Sequence, residues 1–155
     1  MNGWKPSPRC KVMTMDKRPE KATQHLIENG YTCVLYSENT EYHSVQRGVK
    51  PLIEFNDSGV DFRGFFAADK TVGAGAAHAY VLLGVAEVGA RGISESGKRV
   101  LENGGIRVFA DEVVPFIVNR TKDGVCPFET AVKGVTDPVV ALAVMREKLQ
   151  QMSAK

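Results

Sequence analysis

The chain has 155 residues, 43% hydrophobic and 25% charged, which suits one globular domain whose core is large enough to fold without staples. Twenty basic residues against 18 acidic ones leave a net charge of +2, so bulk electrostatics recruits neither nucleic acid nor an anionic membrane. No stretch approaches the roughly 18 to 20 uninterrupted apolar residues that span a bilayer. The opening "MNGWKPSPRCKVMTMDKRPE" lacks the apolar core of a secretory signal, and the expected location is the cytoplasm. Cys10, Cys33 and Cys126 are an odd, scattered set and read as reduced thiols.

In chain order, residues 1–17 carry Pro6, Pro8 and charges without periodicity and read as a loose leader, with a single domain over 18–155. "PEKATQHLIENG" predicts a helix stopped by Asn29-Gly30. "YTCVLYSE" and "NTEYHSVQRG" predict a hairpin, "VKPLIEFNDSG" a short helix, and "VDFRGFFAA" an apolar, central strand. "DKTVGAGAAHAYVLLG" reads as a helix with Asp69 at its N-cap. Then come a strand "VAEVGARGI", a helix "SESGKRVLENGG" capped by Ser94, and a strand "IRVFADEVV". "CPFETAVKG" predicts a short helix and "DPVVALAVMREKLQQM" a closing amphipathic one with Asp137 as cap and Pro138 at its first position. A hairpin followed by strand-helix-strand units predicts a three-layer α/β/α sandwich with a mixed sheet.

Candidate chemistry is sparse. "VGAGAAH" fails the dinucleotide spacing because His78 stands at the third position, and its glycines are expected inside a helix, packing on the sheet. His25, His43 and His78 share no metal-ligand spacing. Asp69 and Lys70, at the end of an apolar strand, can hold a hydroxyl or amine and an anion, or merely cap and face solvent. Asn119-Arg120 ends the run "VVPFIVNR". In "NRTKDGVCPFET" Pro127 suits a helix's first position, which leaves Cys126 at the N-cap, where a thiolate is favoured. Set against that reading, Cys126 also serves as a small buried hydrophobe, Glu129 can cap the turn, and its carboxylate opposes a nearby thiolate.

The run containing "ADK", "NR", "GVCPFE" and the closing "DP" resembles the DUF1893 family over roughly residues 20 to 150. The resemblance implies the cytidine-deaminase-like fold. Zinc deaminases of that fold need an H-x-E…P-C-x-x-C ligand set on two helix N-termini. With "ADK" and "ISESG" aligned to those positions, Asp69, Ser94 and Gly97 stand where ligands are required, so no metal and no cofactor is expected and hydrolytic deamination is disfavoured. What remains is a ligand pocket at the carboxyl end of the sheet, walled by Asp69, Lys70, Ser94, Asn119, Arg120, Cys126 and Glu129. It suits a small anionic or nucleotide-like metabolite, with Cys126 as candidate nucleophile. The alternative is a non-catalytic redox-sensing or regulatory module. A homo-oligomer stays open.

Overall fold

The computed structural model describes residues 26–37, 40–46, 48–118 and 124–153. The leader expected over 1–17 and most of the first helix lie outside these residues; residues 26–28 are helical and end at Gly30, whose φ of 71° fits the expected stop. Five strands follow: β1 (Cys33–Tyr36), β2 (Glu41–Ser44), β3 (Phe66–Val72), β4 (Glu87–Ser94) and β5 (Arg107–Val114). The helices are α1 (Lys50–Asp57), α2 (Ala74–Leu83), α3 (Glu95–Asn103), α4 (Pro127–Ala131) and α5 (Pro138–Ser153).

The strands form one mixed sheet in the order β2-β1-β3-β4-β5. β1 lies antiparallel between β2 and β3, while β3, β4 and β5 run parallel, joined by α2 and α3. The chain is thus an α/β protein with a mixed sheet, hairpin first and crossovers second, as its element order implies.

Alternation along β1 sends side chains to two separate cores. Cys33 and Leu35 join the main cluster with residues of α1 through α5, whereas Val34 and Tyr36 meet Leu26 and Ala68 on the other face. At the centre of the helical side is α2, with Ala74 through Tyr80 all buried. A helix apolar all round is stable only when covered all round. The sheet lies on one side of α2, and α5 crosses it through Ala141 and Met145, spaced one helical turn apart. Asp137 caps α5 as expected, its Oδ1 accepting the Val139 N–H at 2.9 Å. An exposed Arg146–Asp57 ion pair ties α5 to α1.

Two expected boundaries move. Residues 60–65 are not strand: the Phe65 N–H turns back to the Phe62 carbonyl at 3.0 Å, and Gly64 takes φ 83°. Phe62 packs edge-on against Tyr42, Phe55 and Phe65 there. At its other end β3 runs on through Asp69, Lys70 and Thr71, because β1 and β4 supply ladder partners, Cys33 and Ala90 facing Asp69. Asp69 is therefore a strand residue and not a helix cap; α2 starts at Ala74 with Gly73 as N-cap.

Candidate functional site

The three parallel strands end at one edge, where α2 and α3 begin. Gly73 carries no side chain to cap α2, so the first helical N–H groups need an acceptor from elsewhere. Glu129 of α4 supplies it: its Oε2 accepts the Ala74 N–H at 3.0 Å across 55 residues of sequence. The same oxygen accepts the Ser94 hydroxyl and, at 3.0 Å, the Ser96 hydroxyl. Oε1 accepts the Ile117 N–H at 2.7 Å. Ser94 is also the expected N-cap of α3, its Oγ accepting the Gly97 N–H at 3.0 Å. Glu129 is 8% exposed, so one buried carboxylate, surrounded by donors alone, joins two helix starts and the segment after β5.

The helices approach closely for this bridge. A Cβ at Gly97 would lie 3.0 Å from the Gly73 carbonyl carbon and 3.0 Å from the Val72 oxygen, both backbone atoms that cannot step aside. Gly97→Ala is accordingly expected to cost about 1 to 3 kcal/mol, read from the urea midpoint, with an unchanged unfolding slope. The "GAG" glycines are explained differently from the sequence reading. Gly73 stands at the strand-helix junction, its would-be Cβ 3.2 Å from Glu129 Oε2, and Gly75 abuts Met145 and Phe128 of the outer helices, not the sheet.

Asp69 makes a second polar cluster further back in the strand. Its Oδ2 accepts the Tyr80 hydroxyl at 2.6 Å and its Oδ1 the Thr71 N–H at 3.2 Å. Burial pushes its pKa up to about 7, opposed by the hydrogen bonds from Tyr80, Thr71 and Lys70. Burial, and then the charge of Asp69, also holds the Cys33 and Tyr80 pKa values well above their usual ones. Asp69 thus points to α2 inside the protein. Strand alternation places Lys70, exposed, on the opposite face, away from the helix start expected to hold it.

Cys126 is the N-cap of α4, as expected, but that helix has five residues and the sulfur makes no cap hydrogen bond. The thiol is half-buried against the main core. Its backbone N–H donates to the Ile117 carbonyl at 2.8 Å, beside a Val118–Val125 bridge. Asn119 and Arg120 lie outside the described residues.

The structure therefore brings together Ser94 and Glu129, sets Asp69 and Lys70 apart from them, and adds Ser96, Ile117 and Tyr80, which the sequence reading missed. Ser96, two residues from a recognised cap, carried a faint local signal; Tyr80 and Ile117 carried none. His78 is buried in α2 with Nδ1 unpaired; burial lowers its pKa, opposed by the Val135 carbonyl and Asp137. A hollow of about 250 Å³ lined by Asn56, Asp61, Phe62, Arg63 and Leu83 lies at the other end of α2. Among the described residues no His, Cys, Asp and Glu side chains group as a metal-ligand set. No helix among them is long and apolar enough to cross a membrane.

Fold and site define a small α/β protein in which a parallel strand-helix repeat, preceded by an antiparallel hairpin, ends in two helix starts bridged by a carboxylate. The chain belongs to the DUF1893 family: the family model described as "Domain of unknown function (DUF1893)" matches residues 21–149. The fold is similar to that of a DUF1893 family protein (TM1506) from Thermotoga maritima, known from its crystal structure. The TM-score is 0.76 and the identity 24%, over 83% of this chain and 88% of that one. No curated protein matches the chain.

Proposed function

We propose that the chain is a non-catalytic binding module for a small anionic or nucleotide-like metabolite, received at the carboxyl edge of β3, β4 and β5. The observation that carries this reading is the convergence of the Ala74 N–H at the start of α2, two serine hydroxyls at the start of α3 and the Ile117 N–H after β5 on a single carboxylate, that of Glu129. Such an edge favours an anion over a neutral or cationic group. Glu129 is the built-in occupant, so an external anion meets the rim beside it, with Arg120 as its charge partner; Lys70, on the opposite face of the sheet, takes no part.

Binding is favoured over turnover because the described acids of the site are engaged. Glu129 accepts four hydrogen bonds, and Asp69 is 9% exposed and held by Tyr80, so neither is free to move a substrate proton. The order of strands and helices supports a cytidine-deaminase-like arrangement, but the residues do not fit that group's zinc. The true start of α2 is Gly73-Ala74-Gly75-Ala76, and α3 opens with Ser94 and Gly97, with neither thiol nor imidazole in either place. The alternative, Cys126 as a redox sensor, has less support, since that side chain packs as a small apolar one.

Thermal-shift measurements with phosphate, nucleotides and dicarboxylates test the reading. One anion class is expected to raise the melting temperature, and Arg120→Ala to weaken its binding about tenfold or more. The reading fails if no anion stabilises the chain, or if Arg120→Ala binds it as well as the parent.

A further inference from the structure

We propose that β5 is the interface through which two copies of this chain join, by antiparallel β5–β5 pairing about a two-fold axis at Phe109. β5 is an edge strand of eight residues, against four in β2 at the other edge. Among the described residues its only ladder partner is β4. The Arg107 N–H turns to the Ala86 carbonyl on the β4 side at 3.2 Å, so residues 108 and 110 direct their N–H and C=O groups to the open edge. An unpaired edge of this length is a template for another strand. Five of the ten exposed large apolar side chains among the described residues fall between Phe109 and Val125.

Charge selects a second copy and one register. Arg107, Phe109 and Asp111 share the sheet face that carries Glu87 and Arg91, which they meet in the Arg107–Glu87 and Arg91–Asp111 ion pairs. Setting Phe109 opposite Phe109 of the second copy places Arg107 opposite Asp111 on both sides of the axis, and residues 108 and 110 exchange N–H and C=O bonds. A shift by two residues places Phe109 opposite either Arg107 or Asp111 instead, and centring on residue 111 sets like charges face to face. A shift by one residue pairs an outward-facing backbone with an inward-facing one and makes no ladder. The charges that would guard an edge against indiscriminate pairing here complete a specific one.

Light scattering on the full chain is expected to give twice the 16.9 kDa chain mass at micromolar concentration. Ala110→Pro, which removes an outward N–H at an edge position, is expected to give a monomer with a similar melting temperature. Phe109→Cys is expected to cross-link to a covalent dimer under mild oxidation, because a non-hydrogen-bonded antiparallel pair brings Cα atoms to about 4.5 Å. Asp111→Cys and the parent chain, with its own three cysteines, are expected not to cross-link. A monomeric parent overturns the proposal, as does a dimer in which Phe109→Cys cross-links no faster than these controls.

Discussion

Glu129→Ala is expected to lower unfolding stability by about 3 to 5 kcal/mol, the cost of removing the one acceptor shared by two backbone N–H groups and two serine hydroxyls, of which only the serines can pair with each other. The variant leaves the Ala74 and Ile117 N–H groups and two serine hydroxyls facing a carboxylate-shaped void. Glu129→Gln is expected to lose less, because the shape is kept while its amide N–H₂ confronts donors. The distinguishing measurement is rescue: acetate or formate added at tens of millimolar is expected to raise the melting temperature of Glu129→Ala several degrees more than that of the parent. Equal salt responses in the two proteins would mean that the donors do not form an anion seat.

Asp69→Asn has the opposite sign. The folded pKa of Asp69, about 7, stands above the unfolded value near 4, so the native state holds a proton that the unfolded state has lost between those pH values. Stability from this group is complete below about pH 4 and is lost as the pH rises through 7. Neutral asparagine keeps an acceptor for the Tyr80 hydroxyl and has no such loss. The variant is expected to exceed the parent by about 2 to 4 kcal/mol at pH 8 and to match it near pH 4, measured by urea unfolding across the range. Parallel pH curves for the two proteins would contradict this account.

These two residues also mark what the sequence made legible. Ser94, Asp137 and the Asn29-Gly30 stop announce helix ends through contacts within a few residues, and each was read correctly. Asp69 reads as a helix cap because a charged pair, Asp69-Lys70, after an apolar run looks like a helix start. Its strand character comes from β1 and β4, and its compensation from Tyr80, 11 residues on. For Glu129 the sequence suggests only a local task, capping its own turn. Its partners stand 12, 33, 35 and 55 residues away, and no periodicity encodes such distances. The fold class was readable because hairpins and crossovers are sequential, whereas the site is made where distant segments meet.

The enclosed position of α2 bears on the order in which the chain can be made. Its covering comes both from strands on either side of it in sequence and from α5, which starts 55 residues after α2 ends. During synthesis, with domains maturing from the N-terminal side as the chain emerges, the sheet and α2 are available while the face of α2 at Gly75, which Met145 and Phe128 cover, is still open. The nascent chain must therefore hold an apolar helix exposed until residues 138–153 clear the ribosome, and completion of the core is a late, all-or-none event tied to the arrival of α5.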